Sequence, residues 1–156
     1  MSQTPEQKLT SLGITLPTAP DPLAAYRPAR LLGNILYLSG QVPRNPDGSL
    51  ILGRLGHDTS VEDGYNAARN VGLQLLSVAK SAIGELSRIE AVAKVTGMVN
   101  AEPDFHDHAK VINGCSELLI EVLGEAGYHA RSAVGMGSLP FGVSVEIEAI
   151  FHIKAT

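Results

Sequence analysis

Residues 129–154 read HARSAVGMGSLPFGVSVEIEAIFHIK, and this stretch decides the fold class. Arg131 to Leu139 and Val143 to Lys154 read as two strands divided by a turn at Pro140, which cannot donate to a sheet ladder. Successive side chains of a strand alternate, so Val145, Ile147, Ala149, Phe151 and Ile153 share one face of the second strand. Glu146, Glu148, Ile150 and His152 share the other. Two carboxylates on one strand face repel each other, so at least one calls for a cation or water. Arg131 opens the preceding strand and the turn is placed to return it toward that face. Its planar guanidinium grips a carboxylate with two hydrogen bonds, which Lys cannot do. Periodicity alone favours an ordinary Arg–Glu pair at a strand end.

Working outward, Asn34 to Pro43 is a β-branched and apolar strand, and Asn45-Pro46-Asp47-Gly48 is turn chemistry. Ser49 to Leu55 then reads as the returning strand of a hairpin. Asp58-Thr59-Ser60 offers helix caps, and Thr59 with Glu62 spaces as a capping box, ahead of a helix from Val61 to Ile83, with Ala68, Val71, Leu75, Val78, Ala79 and Ala82 on its buried side and Gly84 as its stop. Ile89 to Asn100 is a Val-rich strand. Glu102-Pro103-Asp104 ends it and caps a second helix, Phe105 to Glu125. Ahead of all this, Glu6 to Leu12 suits a short helix, and Pro17 to Pro22 should run extended against the body. The order strand, strand, helix, strand, helix, strand, strand predicts an α+β sheet covered on one face by two helices. Apolar residues on both sheet faces predict that oligomerisation covers the other.

The chain has 156 residues, 44% hydrophobic and 18% charged, enough for one domain with a sizeable core. Its formal charge is −4 with no Lys/Arg run, which argues against nucleic acid and anionic membrane partners. Aromatic residues, 4% of the chain, are too scarce for base stacking. The single cysteine, Cys115, suits a reducing cytoplasm. Residues 1–20 lack a basic stretch followed by an apolar run, so no secretory signal is expected, and no segment has the length and apolarity of a membrane span.

The string ARS at 130–132, a Leu139-Pro140 turn and VSVEIEAI at 143–150 are together similar to the C-terminal signature of the YjgF/RidA family of reactive-intermediate deaminases. Tyr26, Gly33-Asn34 and Leu38-Ser39-Gly40-Gln41-Val42-Pro43 resemble its N-terminal signature, and Asn113 matches a further family position. The resemblance spans Tyr26 to Ile153. It implies one chorismate-mutase-like domain over residues 1–156, with 1–25 as a Pro-rich extension, assembled as a homotrimer with clefts between subunits. It also implies hydrolysis of 2-enamine and 2-imine acids to 2-oxo acids and ammonia, with no metal or organic cofactor. Carried over by position, Arg131 would bind the substrate carboxylate, Glu146 would polarise the attacking water, and Tyr26 would close the pocket. Ser39, Gly40 and Asn113 would line it.

The chain departs from the family pattern at two places. Ala133 stands where a cysteine is common, and Gly135 where an acidic residue is; both changes are expected to open the cleft wall and remove polar groups. With the long N-terminus and extra residues around Phe105 to Lys110, they mark a divergent branch. A small-carboxylate-binding trimer without turnover is the alternative from another class, and an endoribonuclease a third. Other candidates read as structural. His106 and His108, beside Asp104 and Asp107, read as a solvated helix start, because residues two apart on a helix face different ways. Cys115 reads as a packed thiol, His57-Asp58 as a loop or helix entry, and His152 as a strand-face neighbour of Glu146. Gly135-x-Gly137 follows no strand-to-helix transition and is not a nucleotide loop.

Overall fold

The computed structural model describes residues 3–21 and 25–155. Its elements run α1 (Pro5–Ser11), β1 (Ala29–Leu32), β2 (Ile35–Gln41), α2 (Val61–Ile83), β3 (Ile89–Asn100), α3 (His108–Leu123), β4 (Ala130–Met136) and β5 (Val145–Ile153). The strands form one mixed sheet in the order β1-β2-β5-β3-β4. Only β3 and β4 pair in parallel; a parallel pair needs a crossover, and α3 supplies it.

The alternation expected in β5 organises the core. Val145, Ile147, Ala149, Phe151 and Ile153 are all buried, packed with Ala68, Val71, Leu75 and Val78 of α2 and Ile112, Cys115 and Leu119 of α3. Both long helices therefore cover one sheet face. The opposite face carries Leu32, Tyr37 and Val134, each substantially exposed, beside half-buried Met98 and Ile150. Among the described residues, no helix is long and apolar enough to cross a membrane.

Three local expectations need correction. The turn at Asn45–Gly48 forms, with the Gly48 amide donating to Asn45 O at 2.9 Å, but no returning strand follows. Residues 49–55 make isolated bridges instead: Leu50 to Arg44, Leu52 to Val143, and Leu55 to Ala101. The hairpin lies one segment earlier, where β1 pairs with β2 across Gly33-Asn34 and Gly33 adopts φ 58°. The cap of α2 is Ser60, whose side chain accepts from the Asp63 amide, and not Thr59, which donates to Asp58. The second long helix begins at His108, three residues late, because residues 102–107 turn first.

The N-terminal segment is tied to the body. Thr4 and Gln7 form a reciprocal capping box on α1, and Leu9 is buried. The Glu6 carboxylate accepts from the Leu86 amide at 2.6 Å. Beyond α1, Ile14, Leu16 and Ala19 pack on the core, and Ser77 Oγ donates to Pro17 O at 2.5 Å. Residues 17–21 thus run without helix or strand against α2, as expected; Pro22 lies outside the described residues.

The two long helices approach closely at Gly114, where a Cβ would strike the carbonyl oxygen of Tyr65. Backbone cannot yield as a flexible side chain can, so Gly114→Ala should cost about 2 kcal/mol or more. Thermal unfolding should then shift down by about 5 °C or more at this chain length. An unchanged midpoint would mean that the helices separate without penalty.

Candidate functional site

Between Leu38 and Gln41 the register of β2 on β5 slips, placing an extra residue in β2 at Ser39-Gly40. Such a bulge bends the strand and re-aims its side chains. Ser39 uses it to hold the preceding segment: its amide donates to Pro28 O at 2.9 Å and its hydroxyl to Arg27 O at 2.7 Å. That clamp fixes the chain next to Tyr26. Gly40 faces Glu146 so closely that a Cβ there would collide with the Glu146 carboxylate. Tyr26, Ser39, Gly40 and Glu146 line one cavity of about 310 Å³, together with Pro20, Asp21, Val42, Arg44, Pro140 and Phe141. Four of the six predicted site residues are therefore brought together.

Arg131 and Asn113 are not among them. Arg131 is in register with Val95 and points to the helix-covered face, whereas Glu146 is in register with Met98 on the open face. The expected Arg–Glu pair does not form within the chain. Arg131 Nη1 donates instead to Asn113 Oδ1 at 2.8 Å and to Ser116 Oγ at 3.1 Å. Its Nε and Nη2 make no hydrogen bond, and it has no carboxylate partner, among the described residues. Asn113 thus anchors Arg131. The Glu146 carboxylate is likewise without a hydrogen bond or ion pair among the described residues. Its face neighbour His152 pairs with Glu90 at 2.9 Å.

The departures from the family pattern have different consequences. Ala133 leaves a small apolar wall packed on the core. Gly135 does not open the cleft: the His108 imidazole fills that space, with Nε2 where a Cβ would meet it at 2.6 Å. A polar ring replaces the missing acid, and it stands edge-on to Phe105 at 5.2 Å between centroids. His106 precedes α3 on the surface. Cys115 is fully buried, and burial pushes its thiol up to about 12, so it is a packing residue.

Four contributors were missed. Ser116 and His129 buttress Arg131, and a helical serine beside a turn histidine carries no spacing signal. Asp21 and Phe141 enter the cavity by tertiary approach. Phe141 holds the left-handed φ of 59° and is 75% exposed, an unusual state for a bulky residue. The string Pro140-Phe141-Gly142 is legible only as a turn.

Residues 6–148 match the family model described as "YjgF/chorismate mutase-like, putative endoribonuclease". Protein TCP17 of Trypanosoma cruzi is 41% identical over 147 residues, 94% of this chain and 92% of that protein. A 2-iminobutanoate/2-iminopropanoate deaminase of Dermatophagoides farinae is 27% identical over 142 residues, 90% of this chain and 95% of that protein. Among solved structures, a protein of unknown function from Agrobacterium tumefaciens is 44% identical with a TM-score of 0.88, covering 97% of this chain and 94% of that one.

The electrostatics of Glu146 give a test. Burial first, and the Glu148 charge second, raise its carboxyl above the ordinary 4.5. Between 4.5 and the raised value the folded chain binds more protons than the unfolded chain, so this group's contribution to stability falls as pH rises through that window. Glu146→Gln removes the titration. Its melting temperature should exceed that of the parent above the window, and the gap should close as pH falls toward 4.5. A gap independent of pH in thermal unfolding would show that Glu146 titrates normally.

Proposed function

Because the chain belongs to the YjgF/RidA family, we propose that it is a homotrimer that hydrolyses 2-enamine and 2-imine acids to 2-oxo acids and ammonia in clefts between subunits. The observation that carries this reading is a pair of half-buried, opposite charges, Glu146 and Arg131, on opposite faces of one sheet, the carboxylate and the Nε–Nη2 edge having no partner among the described residues. No single copy can use both on one small molecule. A neighbour packed on the open face would cover Leu32, Tyr37 and Val134 and bring its own Arg131 toward the Glu146 cavity. Closed cyclic symmetry repeats that contact without leaving an edge. A reducing, cytoplasmic setting fits the buried Cys115.

In this reading the substrate carboxylate sits side-on against Nε and Nη2 of Arg131, two charge-assisted hydrogen bonds that also fix its plane. The imine carbon then lies over Glu146. The carboxylate takes a proton from water as the oxygen attacks the protonated imine, giving a carbinolamine. It passes that proton to nitrogen and takes up the hydroxyl proton as the C–N bond breaks, so ammonia leaves and the carbonyl forms. A carboxyl held above its ordinary pKa is a better base near neutral pH than a solvated one. Gly40 keeps the carboxylate in place, Ser39 secures the segment bearing Tyr26, and Tyr26, itself 49% exposed, is positioned to close over the substrate. The imine is already electrophilic, so orientation supplies much of the rate. The protein needs no cofactor for these steps.

The deaminase name of the Dermatophagoides relative supports the reading. The endoribonuclease in the family description finds less support here: the lining of the Glu146 cavity contains one arginine, Arg44, whose Nη1 is engaged by Gly48 O at 3.2 Å.

Calorimetric titration with 2-oxobutyrate tests the anchor. Arg131→Ala should lose roughly 2–4 kcal/mol of carboxylate affinity while remaining folded, and Arg131→Lys should restore charge but not the two-pronged contact. Glu146→Gln should bind normally and fail to accelerate decay of an imine generated in situ. Equal affinity in parent and Arg131→Ala would remove Arg131 from the site. A parent that binds the oxo acid but does not hasten imine decay would instead identify a carboxylate-binding trimer.

A further inference from the structure

Arg131 is held from behind by a chain of hydrogen bonds whose direction is fixed at every link. His129 Nδ1 lies 2.6 Å from Gly127 O. A carbonyl only accepts, so Nδ1 carries the proton. In the neutral ring Nε2 is then an acceptor, and its partner at 2.9 Å is Ser116 Oγ. The serine proton therefore points to His129, which leaves an oxygen lone pair facing Arg131 Nη1 at 3.1 Å. Asn113 Oδ1 takes the second proton of the same nitrogen at 2.8 Å. Nη1 is thereby saturated, and the guanidinium can neither rotate nor offer its end-on edge to a ligand.

This direction of the chain holds while His129 is neutral. A second ring proton would reverse the His129–Ser116 bond and free the serine proton from that contact. Burial lowers the readiness of His129 to protonate; the hydrogen bond to Gly127 O opposes it in part, and the Arg131 charge adds a still smaller lowering. Ser116 itself is 7% exposed, too enclosed for water to replace a lost partner easily.

We propose that Ser116 and His129 are positioning residues for Arg131, fixing its guanidinium so that the Nε–Nη2 edge alone receives a planar carboxylate. The inference rests on the reading of Arg131 as the substrate anchor. Neither residue touches the substrate; each acts through the arginine, as outer ligands orient inner ones in other sites.

Binding and turnover separate this role from mere packing of α3 on β4. Ser116→Ala and His129→Phe should each weaken 2-oxobutyrate binding, and raise KM for the imine, roughly tenfold. Turnover at saturation should stay within about twofold, because Glu146 is untouched. His129→Gln, which keeps an acceptor for Ser116, should recover part of the loss. In an Arg131→Lys background Ser116→Ala should add little, since the planar group it orients is gone. Nitrogen NMR of the parent should show His129 as the Nδ1–H tautomer. The opposite tautomer, or affinities within twofold of the parent in both single variants while Arg131→Ala loses binding, would overturn the positioning role alone. If Arg131→Ala itself bound normally, the anchor reading would fail first and this role with it.

Discussion

A β-strand presents alternate residues to opposite sides of its sheet, and here that rule puts Glu146 and Arg131 on opposite faces. β5 lies at the centre of the order β1-β2-β5-β3-β4, so its odd-numbered residues must fill the space under the helices and its even-numbered ones must face away. Glu146 is even-numbered. β4 continues the same sheet in register, and Arg131 falls opposite Val95 on the helix side. No rotamer change within one chain carries a guanidinium through a packed sheet. In the proposed reading, the core that stabilises the protein is thus also what separates the two groups within one copy.

Each half of the arrangement is built where its surroundings are stiff. The Glu146 half depends on a bulge: without the extra residue at Ser39-Gly40, β2 would continue its ladder on β5 and the carboxylate would have no recess beside Gly40. The Arg131 half depends on α3, which places Asn113 and Ser116 three residues apart on one helix face, behind the first turn of β4. In both halves polar side chains such as Ser39, Asn113 and Ser116 are engaged with backbone or with each other, and the Glu146 carboxylate and the Nε–Nη2 edge of Arg131 have no hydrogen-bond partner among the described residues. A half-buried charge without a counter-ion is unfavourable to folding, and the described residues supply none to Glu146 or to Arg131, which supports the proposed reading.

The parts of the fold that follow from periodicity were legible in the sequence: the faces of β5, the bounds of α2, and β3 all stand as the residue pattern predicts. Where a short segment could close in two ways, the pattern was ambiguous. Ser49 to Leu55 has strand-like composition, but Gly53 at φ 147° and the Arg54–Glu102 ion pair at 2.6 Å draw it across the ends of β3 and β5 instead of along β2. The four residues of β1 are too few to show a period. Of the site, the cavity residues could be read as a set because family-like strings carry them. Which face Arg131 would take could not, because it depends on the parallel pairing of β4, and that follows from the crossover and not from β4 itself. The buttress of Ser116 and His129 was hidden for the same reason, being a contact between elements with no sequence spacing of its own.

Subunit complementation tests the intersubunit site most directly. Arg131→Ala and Glu146→Gln chains, each inactive alone, would be unfolded together, refolded as a mixture and assayed for imine hydrolysis, with native mass spectrometry confirming mixed trimers. If every cleft takes Arg131 from one chain and Glu146 from the next, each mixed trimer holds one intact cleft, and random mixing should restore about a quarter of the parent activity. Mixed trimers that remain as inactive as either variant would contradict a site shared between chains.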